Sequence, residues 1–431
     1  MVRAAAITGG GPTQTFTVPS WTETPKAAIF IMTGATSNAV VATGAALMVG
    51  IATGASNRFC TASSSQSGPT NANTRNRKSN TKCISFLGST GAVNGEADWT
   101  SFGSGSVTVT WSSFPSAAFL ITVILFAGAD LSAYAGDFTA SGTINTGTTV
   151  TAPGFQPDQL MVLGGGRVAT YNTILDGAFM QIGFADRGAT ITQCCTSWLA
   201  LNGAGNADCF NWISSNRSCI GISATGGTLG NMQIEITAFS GTGFTATTRN
   251  SGLAVPYPYL ALSYTTGNGT CGHSVPLIVS PTSPSTPIHF VSGTYTPQFV
   301  LQLPSGVNIA NALRSDGTTQ KPGAGSYGIA AFNATEIFSH CTGDDDANSV
   351  MATQSFVTTD FRCRSDTGTD LHIASTPVFG SGYYSLTYTT AVAGPSGATS
   401  RFWPTMVIGD FVTSGTAVPV YQHSYRQRRV W

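Results

Sequence analysis

Charge is what this 431-residue chain has least of. Charged residues make up 9% of it, 19 basic and 19 acidic, and the net charge is zero. An ordinary soluble domain carries roughly a quarter, and the basic excess of a nucleic-acid binder is missing. Long apolar runs are scarce as well. The longest, Ala117–Ala129, contains Thr122 and Gly128. It is shorter than the about 20 residues a membrane-spanning helix needs, and it reads as a buried strand. The first residues, Met1 to Thr8, lack the continuous apolar core of an export signal, so synthesis in a cytoplasm without export is expected. Helical periodicity is nowhere sustained beyond a turn or two. Glycine is plentiful, at 50 residues, but has no three-residue period, which excludes a collagen-like chain. The 42% of hydrophobic residues occur as repeated short runs, which excludes disorder. Compact β-structure remains. Low charge gives a surface little colloidal repulsion, which points to a protein held inside an assembly.

What is present is a repeat. Three segments share an aromatic, a nearby proline and an apolar strand: Phe16 to Pro25 then Ala28–Met32, Val150 to Pro157 then Leu160–Leu163, and Phe290 to Pro297 then Phe299–Leu303. Each is followed by a strand with an internal glycine, Gly50, Gly183 or Gly328, spaced 133 and 145 residues apart. Glycine inside a strand marks a bulge or a close backbone approach. A cysteine pair comes next: Cys60 and Cys83, Cys194 or Cys195 and Cys219, Cys341 and Cys363. Glycine-rich hairpins follow at Gly103–Gly105, Gly241–Gly243 and Gly380–Gly382, then strands at 119–126, 257–264 and 401–408. The order of landmarks predicts an all-β chain of three tandem, diverged β-sandwich or jelly-roll-like domains, at 1–145, 146–280 and 281–431. The Pro/Ser-rich stretch Val279–Pro287 is expected as a stiff linker. Three linked copies could imitate a trimer around an axis.

No catalytic, cofactor or metal residues are expected. The six repeat cysteines Cys60, Cys83, Cys194, Cys219, Cys341 and Cys363 read either as one disulfide per unit or as small buried hydrophobes, the cytoplasm favouring thiols. Their spacing fits no common zinc site. Asp344–Asp346 could hold a cation but reads better as a solvated loop tip. The histidines are scattered, and no nucleophile elbow is present. Glu96 with Asp98 or Asp130 is the one carboxylate pairing that glycoside hydrolysis could use. The C-terminal tail sets Arg426, Arg428 and Arg429 among Tyr421, Tyr425 and Trp431, residue types that interfaces favour, and is expected to dock on a partner.

The aromatic–Gln–Pro–apolar pattern of Phe155-Gln156-Pro157 before Leu160–Val162, with Ala46–Gly54 and Lys82-Cys83-Ile84, resembles repeats in virion structural proteins of tailed bacteriophages. The resemblance implies a non-enzymatic virion protein, associated with the tail or a fibre. The alternative is a capsid decoration protein that bridges subunits, and a glycan-cleaving enzyme stands third. Expected partners are other virion proteins, further copies of the chain and host glycans met through Trp21, Trp99, Trp198 or Trp212. Nucleic acid and membrane insertion are not expected, and the location is the virion, assembled in the host cytoplasm.

Overall fold

Runs such as Ala28-Ile29-Phe30-Ile31-Met32 are apolar at every position, so a strand built from them must bury both faces. A computed structural model of the chain shows how. It describes residues 1–19, 21–68, 73–165, 170–203, 209–222, 229–250, 254–266, 269–291, 295–305, 313–315, 327–344, 352–358, 360–364, 370–375, 377–391 and 401–413. Among them the chain is all-β, with antiparallel sheets and no helix.

Unit 1 comprises β1 (Val2–Ala5), β2 (Thr13–Thr17), β3 (Ala27–Thr33), β4 (Val41–Thr43), β5 (Ala45–Gly54), β6 (Asn57–Ser65), β7 (Thr74–Ser79), β8 (Ile84–Leu87), β9 (Val93–Gly103), β10 (Ser106–Ser113) and β11 (Leu120–Phe126). Its large sheet runs β1-β11-β3-β5-β6-β7 and its small sheet β2-β10-β9-β8. The chain changes sheet between β1 and β2, β2 and β3, β7 and β8, and β10 and β11, while β5-β6-β7 and β8-β9-β10 are meanders.

Unit 2 repeats this with β12 (Ser132–Thr139), β13 (Gly147–Val150), β14 (Gln159–Gly164), β15 (Ile174–Asp176), β16 (Ala178–Arg187), β17 (Ile191–Ala200), β18 (Cys209–Ser214), β19 (Cys219–Ile222), β20 (Leu229–Ser240), β21 (Gly243–Asn250) and β22 (Pro256–Ser263). The sheets are β12-β22-β14-β16-β17-β18 and β13-β21-β20-β19.

Unit 3 has β23 (Thr265–Thr266), β24 (Gly269–Ser274), β25 (Leu277–Val279), β26 (Ile288–Phe290), β27 (Pro297–Gln302), β28 (Leu313–Ser315), β29 (Tyr327–Phe332), β30 (Ile337–Asp344), β31 (Ala352–Val357), β32 (Phe361–Arg364), β33 (Asp370–Ala374), β34 (Val378–Gly380), β35 (Tyr383–Ser385), β36 (Tyr388–Ala391) and β37 (Phe402–Thr413). Its large sheet follows the same order, β24-β37-β27-β29-β30-β31. The counterpart of the small sheet is two three-stranded pieces, β26-β35-β34 and β32-β33-β36.

The first strand of units 2 and 3 precedes the boundary expected from sequence. β12 pairs with β22 along its whole length, and β24 pairs with β37. Ser132–Thr139 carries neither the proline nor the apolar run on which the repeat was recognised. The stretch expected as a linker is pinned to unit 3: Ser280 Oγ accepts the Arg401 N–H at 2.8 Å, and Pro281 O lies 3.0 Å from His372 Nε2.

The three large sheets turn their inner faces onto one central core. In β3, Ala27, Ile29 and Ile31 enter that core, whereas Ala28, Phe30 and Met32 face the small sheet of unit 1. Met161 and Leu163 of β14 and Phe299 and Leu301 of β27 enter the same central cluster, with Leu160, Val162 and Val300 facing outward to their own units. Two of the repeated glycines make the packing of large on small sheet tight: a Cβ at Gly50 would lie 1.8 Å from the Cys83 carbonyl oxygen and one at Gly183 1.9 Å from Ser218 O. At Gly328 the near atom, 2.7 Å away, is His340 O on the neighbouring strand of the same sheet.

The units are also laced by strands. β4, β15 and β28 each lie between the third and fourth strands of their own large sheet, and each pairs outside its unit. β15 adds to β7 of unit 1 (Ile174 opposite Arg77), β28 to β18 of unit 2 (Leu313 opposite Trp212), and β4 to β31 of unit 3 (Val41 opposite Ser355). Unit 2 therefore lends to 1, unit 3 to 2 and unit 1 to 3, which closes a cycle within one chain. An aromatic pair bridges each seam: Phe59 with Tyr171, Trp198 with Tyr327, Phe126 with Phe299.

Candidate functional site

Polar side chains in so uncharged a chain collect at the seams. At the seam of units 2 and 3, Asp158 leads into β14, Asp186 and Arg187 end β16, and His273 stands on β24. His273 Nδ1 lies 2.6 Å from Asp186 Oδ1, and Arg187 pairs with Asp158. Asp158 Oδ2 also accepts from the Tyr264 N–H at 2.6 Å and from Ser263 Oγ at 3.0 Å. Gln159 donates to the carbonyls of Ser274 and Val407 at 3.0 and 3.1 Å. Such a knot satisfies buried charge and fixes the entry of unit 3. With Asp158 held by Arg187, Ser263 and the Tyr264 N–H, and Asp186 by His273, it is built to hold strands together.

Beside it is a cavity of about 550 Å³, whose lining includes Ile191, Pro276, Leu277, Asn216, Arg217 and Glu235. Arg217 Nη1 donates to Glu235 Oε2 at 2.8 Å and to Asn216 O at 2.7 Å, and Arg249 Nε donates to Glu235 at 2.8 Å.

The other seams carry single buried cations and imidazoles. Lys78 on β7 donates to Pro256 O at 3.2 Å and lies 5.6 Å over the Tyr171 ring; burial lowers its pKa to about 8. His340 on β30 is enclosed at the seam of units 3 and 1, between Thr122 Oγ1 at 2.9 Å and Thr33 Oγ1 at 3.4 Å, against the Phe356 ring. Burial drives its pKa down to about 3.

All nine cysteines are buried, and no disulfide joins any of them among the described residues. Desolvation pushes the Cys60 and Cys194 thiols up to about 12, which makes them poor nucleophiles. The register places Cys195 opposite Gly183, as Cys60 stands opposite Gly50 and Cys341 opposite Gly328. Cys195 is thus the repeat member, while Cys194 faces the central core.

The remaining sequence candidates are dispersed. Glu96 is held by Arg77 at 2.8 Å and Ser85 at 3.0 Å, Asp98 by Arg58 at 2.6 Å, and Asp130 is exposed in a turn. Glu96 and Asp98 are therefore committed to ion pairs. Trp198 is fully buried in the central core and Trp212 is packed with Phe179, Leu199 and Phe210, so neither offers a face to a glycan; Trp21 and Trp99 are half-buried. Asp345, Asp346 and the tail residues Tyr421, Tyr425, Arg426, Arg428, Arg429 and Trp431 lie outside the described residues. Among the described residues no group of three His, Cys, Asp or Glu side chains is placed so that it could hold a metal ion. Sequence reasoning missed the seam residues, because their partners are 29 to 307 positions away.

No family model matches the chain, and no curated protein matches it.

Proposed function

We propose that the chain is a non-enzymatic structural protein of a virion, associated with the tail or a fibre, and that it serves as a single-chain counterpart of a trimer. The observation that supports this reading is the closed cycle of lent strands around one shared core. A trimer formed from separate copies depends on their concentration, whereas a covalent one keeps its neighbours in place at any dilution. The paired carboxylates and buried thiols fit a scaffold better than a reaction centre. The phage assignment comes from the resemblance of the Phe155-Gln156-Pro157 and Ala46–Gly54 motifs.

Capsid decoration is the second reading, and the same cycle favours it, since a capsid lattice offers many local threefold positions. Quantitative mass spectrometry of particles that carry the chain separates the two: a handful of copies fits the tail, hundreds fit the capsid. Absence from purified particles would sink both. For the enzymatic reading, Glu96→Gln and Asp130→Asn are the decisive variants. Glycan cleavage by the wild type that either variant abolishes would overturn the structural reading.

A further inference from the structure

The chain holds the pairs Asn94-Gly95, Asn202-Gly203 and Asn268-Gly269, of which Asn268 lies outside the described residues. In an Asn-Gly pair the glycine nitrogen has no side chain beside it, so it can approach the carboxamide carbon of the asparagine. The fold treats the two described pairs differently. Asn94 stands in β9, where its Nδ2 donates to Ser116 Oγ at 2.9 Å and its Oδ1 accepts the Ser116 N–H at 2.7 Å. Pro115 atoms lie 3.1 to 3.3 Å from the Cβ position of Gly95. Asn202 instead follows β17 at the seam of units 1 and 2. Its Oδ1 accepts two hydrogen bonds from unit 1, from the Thr74 N–H at 3.0 Å and from Arg75 Nη1 at 2.6 Å. Gly203 is exposed, with a φ of 78° and nothing within 4 Å of its Cβ position.

Two donors on a carboxamide oxygen act as an oxyanion hole does. They draw electron density from the carbon and stabilise the charge that builds on oxygen as a nucleophile adds. Both donors are fixed in place. Arg75 Nη1 also donates to Thr74 O at 2.9 Å, and the hydroxyl of buried Thr74 donates to Ala200 O at 3.0 Å.

We propose that Asn202 is a self-modifying site, which deamidates in the folded chain and leaves an aspartate that ties unit 2 to unit 1. The Gly203 nitrogen, its proton passed to water, adds to Asn202 Cγ. The Cγ–Nδ2 bond breaks, ammonia leaves, and a succinimide ring closes. Water then adds to Cγ, the carbonyl that the two donors polarise, and the ring nitrogen takes back a proton. The backbone is restored with Asp in place of Asn. The new carboxylate keeps both donors, and its contact with Arg75 becomes charge-assisted. The acid already beside Arg75, Asp176 at 3.3 Å, has a side chain 75% exposed and leaves room for a better-placed partner. The reaction is independent of the particle to which the chain belongs.

The test is peptide mapping by mass spectrometry on the full chain, aged at neutral pH both folded and in urea. Each site reports the exchange of NH2 for OH. In the folded chain Asn202 is expected to react faster than Asn94 and no slower than it does in urea, where the two sites should react at similar rates. Fragmentation should show Asp, with isoaspartate the minor product. Arg75→Gln should slow folded Asn202 about tenfold, less than an enclosed enzyme site loses with an oxyanion donor, because this site is partly solvated. In urea the same substitution should change nothing, which separates the donor's effect from that of sequence. The Asn202→Asp variant should have a higher urea midpoint than the unaged wild type, and the gain should vanish in an Arg75→Gln background. Asn202 slower in the folded chain than in urea, a rate unchanged by Arg75→Gln, or an Asn202→Asp variant less stable than wild type would overturn the proposal.

Discussion

Gly50 and Gly183 hold the same place in two units for one reason: the carbonyl oxygen of the residue that leads into the small sheet, Cys83 or Ser218, fills the space a Cβ would take. Gly183→Ala should therefore lower stability by roughly 3 kcal/mol, as overpacking against backbone does. Gly241→Ala, with nothing within 4 Å of its Cβ, should change it by less than about 0.5 kcal/mol. Urea melts of the two variants check this, and equal effects would refute the close approach. The histidines make a second prediction at this scale. Burial lowers His289 to about 4, and His340 and His372 to about 3, from the ordinary 6.5, with Arg401 adding to the effect at His372. All three are neutral in the folded chain, whereas the unfolded chain takes up protons near 6.5. The stability they contribute is fully present above that pH and is lost as pH falls toward their folded values. Each contributes a slope of up to about 1.4 kcal/mol per pH unit. Urea midpoints should thus be flat above pH 7 and fall from 6.5 to 4, and His340→Gln should make the fall shallower. An unaltered slope would show that His340 is not enclosed.

At the scale of the element, the strands that matter most are the shortest. β4, β15 and β28 have three residues each, yet they cap the edges of neighbouring sheets. An uncapped β7 would leave its outward N–H groups to water. With Ile174–Asp176 in register, the β7 amides that face β15 should exchange as slowly as those that face β6. Fast exchange of the outer set, measured by hydrogen–deuterium NMR, would show that the lent strand is not there. These elements were illegible in the sequence, because Val-Ala-Thr, Ile-Leu-Asp and Leu-Arg-Ser share only an aliphatic first residue. The apolar strands β3, β14 and β27 were legible, since both of their faces are buried and the whole run is hydrophobic. β12 was not, because its pattern of Ser, Ala, Tyr and Gly carries no run at all.

At the scale of the molecule, the repeat announced three related units, but the sequence did not say whether they stand in a row or around an axis. The shared core and the cyclic lending of strands decide for the axis. The candidate cavity depends on that closure, since its lining combines Val275–Leu277 of unit 3 with Ile191–Cys194 and Arg217 of unit 2. Its residues could not be gathered from a sequence in which Arg217 and Leu277 stand sixty positions apart.

Ser101, Ala238 and Val378 are exposed and immediately precede the matching Phe102, Phe239 and Phe379 of the three units. Spin labels on these positions, introduced two at a time beside the buried native thiols, give three inter-unit distances by electron–electron double resonance. A closed threefold arrangement predicts three closely similar values. A distance between the labels of units 1 and 3 about twice the other two would mean a linear chain of units, and would contradict the account.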